Sequence, residues 1–301
     1  MTGSELIFMV TIELLDVPSS AGAHSPGQEK APAALRRTGL VKVFADHGLD
    51  VVDQGEQPVT RWQPVREDRG VSNASAVVAI AEQTAQRVAA AVAAGRFPLV
   101  IGGDCSITVG ALSGLLRAGS DPGLLYFDGG LDLGTPDRTP SGILDSMGLA
   151  HMLDEPGSYE PLAGIGPRRP LLALENLVGF GVNVGLDESE RLSALRRFTS
   201  TDVRRDGVRT AREARELFAS SYLIHFDIDV VDFFDLQLAD IPVHLDNHTG
   251  LPFDLTMDCL DEFLTGPAAG LVLTEVNPDH GTDADLTRLA TRLASSLTHL
   301  T

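Results

Sequence analysis

The stretch Leu223-Ile224-His225-Phe226-Asp227-Ile228-Asp229-Val230-Val231-Asp232 runs apolar and then ends in alternating carboxylates. A run of this kind reads as a buried strand, and carboxylates do not gather at the end of a core strand without a cation or a ligand to offset their desolvation. A second cluster follows Gly123-Leu124-Leu125-Tyr126-Phe127, where Asp128 and Asp132 are separated by Gly129, Gly130 and Leu131. Two acidic strand ends suggest one shared metal site.

Outward from these ends, short β-type runs alternate with longer helical patterns. Strands are predicted over Leu6 to Leu14, Leu49 to Val52, Phe97 to Ile101, Leu124 to Phe127, Val178 to Val184, Tyr222 to Asp227 and Gly270 to Glu275. Helices are predicted over Ala31 to His47, Ala74 to Ala94, Ser106 to Ala118, Ser189 to Phe198, Thr210 to Ser220, Asp254 to Leu264 and Asp285 to Leu300. The βαβα order and the unalternating strands predict an α/β fold, a three-layer α/β/α sandwich around a mainly parallel sheet. In such sheets ligands bind at the carboxyl ends of the strands, where both acidic clusters fall. Pro18 to Gln28, Gln54 to Ser72 and Leu131 to Gly142 are irregular and long enough to be binding loops.

Composition narrows the function classes. The 301 residues, 43% of them apolar, are read most economically as a single domain over 1–301. Acidic residues outnumber basic ones 42 to 23, for a net charge of -19. That argues against nucleic-acid and anionic-membrane partners. No apolar run has the length of a membrane span, and the N-terminus lacks the marks of a secretion signal, so a cytoplasmic location is expected. Cys105 and Cys259 are the only cysteines, which gives no disulfide framework and fits a reducing compartment.

Taken together, the motifs carry a resemblance that spans almost the whole chain. Gly102-Gly103-Asp104-Cys105-Ser106, Asp128-Gly129-Gly130-Leu131-Asp132, Asp227-Ile228-Asp229-Val230-Val231-Asp232 and Glu275-Val276-Asn277-Pro278 fall in the order and spacing of the ureohydrolases, the arginase and agmatinase family. Pro32 to Arg36, Ser141-Gly142 and Asp187 to Glu190 are supporting matches. Any one motif is weak, whereas the whole set in order is specific. The resemblance implies an arginase-like fold and a binuclear manganese site whose bridging hydroxide attacks a guanidinium carbon to release urea. It also implies assembly as a homo-oligomer, a trimer or hexamer.

The four carboxylates Asp128, Asp132, Asp227 and Asp229 match metal-ligand positions of the family. Neither ligand histidine is present: Cys105 stands where the family has the histidine of Gly-Gly-Asp-His, and Gly130 where it has that of Asp-x-His-x-Asp. One ion keeps Cys105, Asp128, Asp132 and Asp227; the second keeps only Asp128, Asp227 and Asp229 and is expected to be lost. Manganese is the first expectation for the remaining ion, and a thiolate shifts preference toward zinc or iron(II). Asp145 stands where arginases carry the histidine that shuttles protons. His225, His244, His248 and His280 sit near the strand ends as candidate replacement ligands, and nothing in their spacing selects among them.

The recognition residues are better preserved. Glu275 matches the glutamate that accepts from the guanidinium, and Asp187 the aspartate that receives the α-ammonium. Thr139 and Ser141 match positions that bind the amino-acid end, although Gly134 replaces the asparagine of that loop, and Arg138 is a candidate partner for a carboxylate. The resemblance therefore points to a hydrolase of a C–N bond in a guanidino or amidino compound with an amino-acid end. N-hydroxylated guanidines are expected to demand less of a weakened metal centre. Two other readings stay open: an inactive relative with a binding or regulatory role, and metal-free amidino chemistry with Cys105 as nucleophile, activated at a helix N-terminus.

Each residue also has a plain structural reading. Cys105 and Cys259 fit a core, Asp104 and Asp145 fit helix caps, Glu275 fits a partner for an arginine, Arg138 fits a solvated loop charge, and His151 fits either solvent or core.

Overall fold

The unalternating apolar runs become the interior strands of one sheet because helices cover both of its faces. The computed structural model describes residues 10–183, 194–240 and 250–300. The strands are β1 (Thr11–Val17), β2 (Asp50–Asp53), β3 (Phe97–Gly102), β4 (Gly123–Phe127), β5 (Leu177–Val182), β6 (Arg196–Thr199), β7 (Tyr222–Asp227) and β8 (Ala268–Thr274). Their order is β2-β1-β3-β8-β7-β4-β5-β6, and every pairing is parallel. Strands β3, β4, β5 and β7 are buried along their whole length, whereas the edge strand β6 is half-buried throughout and β2 is exposed at both ends.

The helices are α1 (Ala31–Arg37), α2 (Leu40–Asp46), α3 (Ala74–Ala93), α4 (Ile107–Arg117), α5 (Gly148–Met152), α6 (Glu160–Ala163), α7 (Ser200–Arg205), α8 (Gly207–Arg215), α9 (Phe253–Leu264) and α10 (Asp283–Leu297). Alternate residues along each interior strand feed two separate cores. Leu14, Ile101, Phe127, Phe226 and Leu273 join the helices α1, α2, α8, α9 and α10 on one face, with Cys259 of α9 among them. Leu15, Val100, Tyr126, Leu223 and Val272 meet α3, α4 and α5 on the other. No described helix is long and apolar enough to cross a membrane.

Several boundaries differ from expectation for identifiable reasons. The helix predicted over Ala31 to His47 is two, because Gly39 takes a left-handed φ of 90° and ends α1. The first strand begins at Thr11 and runs on to Val17, while residues 6–9 lie outside the described ones, as does Val184. The helix predicted over Ser189 to Phe198 is corrected: residues 189–193 are outside the described set, and Arg196 to Phe198 belong to β6. A four-residue edge strand carrying two arginines has neither the length nor the alternation that announces a strand. Helix α7 went unpredicted although Thr199 and Asp202 form a capping box at its start.

Helix α4 owes its close seat on α3 to Gly110 and Gly114. A Cβ on Gly110 would lie 2.3 Å from the Ala81 carbonyl oxygen, and one on Gly114 2.6 Å from that of Ala85. Alanine stabilises an exposed helix by about 0.5–1 kcal/mol over glycine, but forcing extra volume into a packed seam costs about 1–3 kcal/mol. Gly110→Ala is therefore expected to lower stability. Guanidinium unfolding checks this, and an unchanged or raised midpoint would show that the helices separate at little cost.

Candidate active site

Four strands adjacent at the middle of the sheet, β3, β8, β7 and β4, bring their carboxyl ends to one place. Phe127 pairs with Phe226 and Asp227 with Thr274, so Asp128 and Asp227 stand side by side as their strands end. The turn after β3 is held from both sides. Gly103 accepts from the Glu275 N–H at 2.9 Å, and a Cβ on Gly103 would lie 2.1 Å from the Ser19 carbonyl oxygen. Asp104, fully buried, accepts from the Gly22 N–H at 3.0 Å and from the backbone and hydroxyl of Ser106. It fastens two turns together, which is its structural role. Glu275 and Asp132 both take left-handed backbone, with φ of 61° and 43°, a conformation that costs energy outside glycine.

The predicted donors meet in part. Among the described residues, one ligand atom from each of Cys105, Asp128, His225 and Asp227 lies within 4.8 Å of every other, and Cys105, Asp145 and Glu275 form a second such group. Cys105 Sγ donates to Asp227 Oδ2 at 2.8 Å and lies 3.4 Å from Thr274 Oγ1. Asp227 Oδ1 accepts from the Asp229 N–H at 2.7 Å, and Asp229 Oδ1 from the Gly129 N–H at 3.1 Å. Asp128 Oδ1 accepts from the Gly130 N–H at 2.5 Å. Asp132 and Asp229 belong to neither group, and Asp132 Oδ2 accepts from the Tyr126 hydroxyl at 2.5 Å. A Cβ on Gly130 would lie 3.5 Å from Asp128 Oδ1 and 3.9 Å from Asp132 Oδ1, ordinary contacts that leave room for a side chain.

Burial dominates the electrostatics. Desolvation, reinforced by neighbouring carboxylates, pushes Asp128, Asp227, Asp145 and Glu275 well above the usual carboxylate range. It pushes Asp132 up to about 7 against the lowering hydrogen bond from Tyr126. The Cys105 thiol also goes up, through burial and then the charge of Asp227, which corrects the expectation of an activated thiol. Cys105 precedes α4 by two residues and is almost wholly buried among carboxylates, so the helix terminus does not prevail. A divalent cation suits this set: it would replace mutual repulsion by coordination.

Asp145 does not cap the helix through Met152. Its Oδ1 accepts from the Cys105 N–H at 2.7 Å and so joins the site from the far side. Glu275 has no arginine partner among the described residues; its Oε2 accepts from Gln28 Nε2 at 3.1 Å, and its Oε1 is buried without a partner. Gln28 is itself buried, donates also to Asp240 at 3.1 Å, and leaves its own Oε1 unpaired. Thr139 and Ser141 are half-buried, and Arg138 is half exposed, 4.0 Å from Glu155 and 3.2 Å from the Thr135 hydroxyl. His151 is core: Nδ1 lies 2.6 Å from the Met147 carbonyl and Nε2 accepts from the Tyr159 N–H at 2.9 Å. His280 Nδ1 lies 2.8 Å from the Ala239 carbonyl. Asp187, His244 and His248 lie outside the described residues.

Gln28 carries no spacing signal that sequence reasoning uses. His225 does, since it stands two residues before Asp227 and therefore on the same strand face.

A family model described as the arginase family matches residues 10–299. Human arginase-1 is 30% identical over 300 residues, which cover 92% of this chain and 88% of that protein. The solved arginase of Bacillus caldovelox superposes with a TM-score of 0.83 at 28% identity, covering 96% of this chain and 98% of the other. Proclavaminate amidinohydrolase from Streptomyces clavuligerus shares the fold, with a TM-score of 0.70 at 20% identity over 96% of this chain and 91% of its own.

The raised carboxyls set a sign for stability. In the unfolded chain they titrate near 4, whereas in the folded protein they hold their protons to higher pH, Asp132 to about 7. The stability they contribute is present below about pH 4 and is lost as pH rises through the folded values. Metal-free protein is therefore expected to lose urea resistance from about pH 5 to pH 8, and a bound divalent ion to flatten that slope. Equal slopes with and without metal would show that these carboxyls hold no ion.

Proposed function

The chain belongs to the arginase family, and on that premise we propose that it is a metal-dependent hydrolase of a C–N bond in a guanidino compound bearing an amino-acid end. The observation that carries this reading is the buried, unpaired Oε1 of Glu275 beside a cluster of carboxylates that has no lysine or arginine among the described residues. Such a group of side chains suits a planar cation on one side and a divalent ion on the other.

Cys105, Asp128 and Asp227 would hold the ion, with Asp132 and Asp229 bordering them. When bound, a divalent ion supplies activated water for attack on the guanidino carbon. Glu275 Oε1 would accept from the guanidinium while Gln28 fixes Oε2, so the carboxylate is held ready rather than ordered by the ligand. The unpaired Gln28 Oε1 adds an acceptor beside it, which favours a guanidine carrying a further donor, such as an N-hydroxyl. Asp145, its carboxyl raised by burial and like charge, is assigned to give a proton to the departing amine. Asp187, Thr139, Ser141 and Arg138 are assigned to the amino-acid end; Arg138 must leave Glu155 to do so. A direct attack by Cys105 has less support, since burial and the carboxylates around it push its thiol up.

Protein supplied with manganese, zinc or iron(II) is expected to release urea from a guanidino amino acid, or hydroxyurea from its N-hydroxylated form. Colorimetric product assays over such a panel test this, and metal-loaded protein that cleaves none of them would favour an inactive binding protein. Glu275→Gln should weaken guanidino ligands by about 1.5–3 kcal/mol, the value of a charge-assisted hydrogen bond, with the fold intact. Unchanged affinity in calorimetry would make Glu275 structural.

The open space at Gly130 gives a third expectation. Cys105→His with Gly130→His should recruit a second ion and weak arginine hydrolysis, and adding Asp145→His should raise the rate by on the order of 10²–10⁴. A folded triple variant with two ions but no urea release would remove Glu275 and Asp187 from their assigned roles.

A further inference from the structure

One imidazole at this centre has no part in the reaction above. His225 is fully buried on β7, in register with Tyr126 of β4 and on the same face as Asp227. Its ring stacks on Tyr126, with centroids 4.1 Å apart and planes 11° from parallel. Nδ1 lies 2.7 Å from the hydroxyl of Thr108 on α4, and Nε2 lies 3.3 Å from Asp128 Oδ2. The ring is thereby fixed on three sides, with Nε2 turned to the group it forms with Cys105, Asp128 and Asp227.

We propose that His225 is a metal ligand of this chain, replacing from β7 the imidazoles absent at Cys105 and Gly130, and that with Cys105, Asp128 and Asp227 it binds one zinc- or iron(II)-class ion. The proposal rests on the metal-dependent reading above and changes which residues and which ion carry it. One sulfur, one nitrogen and two carboxylates form a borderline set, unlike the all-oxygen surroundings that hard ions prefer. Catalytic zinc centres keep a position open for water, so beside these four donors the water would take a fifth place. A ligating imidazole generally donates its other ring N–H to an outer acceptor, and the Thr108 hydroxyl stands at that place as a positioning residue. In that tautomer Nδ1 carries the proton and Nε2 offers its lone pair. The hydrogen bond from Cys105 to Asp227 gives way to coordination, and the thiol proton leaves to solvent on binding.

The competing account makes His225 a core residue that only bridges Thr108 and Asp128. Zinc-loaded full-length protein separates the two by X-ray absorption, which reads one sulfur near 2.3 Å and imidazole scattering around the ion if the proposal holds. Zinc competition titrations should show His225→Ala weakened by more than about 100-fold and Thr108→Val by about 10–100-fold. With cobalt(II) as probe, the thiolate charge-transfer band should persist in Thr108→Val and fade in His225→Ala at equal metal. Bound zinc without imidazole scattering overturns the proposal yet leaves a metal-dependent hydrolase standing. So does a folded His225→Ala that keeps wild-type affinity. Wild-type protein that retains no zinc, iron(II) or cobalt(II) at micromolar concentration overturns the proposal together with the reading beneath it. If His225→Ala does not fold, the absorption spectrum of the wild-type protein still decides.

Discussion

Like charges forced together out of water are the constraint around which this molecule is arranged. Asp128, Asp145, Asp227 and Glu275 crowd the carboxyl ends of the central strands, and burial pushes all of them above the usual carboxylate range. None of them meets a lysine or arginine among the described residues; the imidazole beside Asp128, that of His225, is pushed by burial down to about 3 and brings no positive charge at neutral pH. Backbone N–H groups do what cations do elsewhere, from Gly130, Asp229 and Cys105. Such groups soften the repulsion without cancelling it, so the cluster stays poised for a positive partner.

The two-sided sheet explains how so much charge is held. Each interior strand sends alternate residues to opposite cores, and the acids of the site begin where β4 and β7 end. The rigidity of the α3–α4 seam matters for the same reason, because α4 carries Thr108 beneath the centre and starts just after Cys105. A close helix pair on one side and the joined turns of Ser19, Gly22 and Gly103 on the other leave the acids little freedom to move apart.

Much of this arrangement is legible in the chain itself. Phe97 to Ile101, Leu124 to Phe127 and Tyr222 to Asp227 announce interior strands because a short, continuous apolar run, bounded by turn residues, suits a strand covered on both faces. The acidic motifs point to the candidate site because carboxylates at strand ends are costly without purpose. Strand β6 is hidden because an edge strand with Arg196 and Arg197 carries no such mark. Gln28 is hidden for a different reason: its contact with Glu275 spans nearly the whole chain, and no local pattern encodes it. His225 lies in plain view, on the face of β7 that also carries Asp227. Which histidine faces the acids depends on the stacking with Tyr126 and on Thr108, and both are products of folding.

The left-handed backbone at Glu275 has a consequence for selectivity. Its N–H is tied to Gly103 and its carboxylate to Gln28, so the carboxylate keeps a fixed separation from the thiol and acids opposite. In the proposed reaction that separation would act as a ruler for the cationic group itself: it sets how far a guanidinium held by Glu275 stands from an ion at Cys105, Asp128 and Asp227. A cationic group of another size would present its reactive carbon out of step with the ion, and a misplacement of about 1 Å costs on the order of 10²-fold in rate.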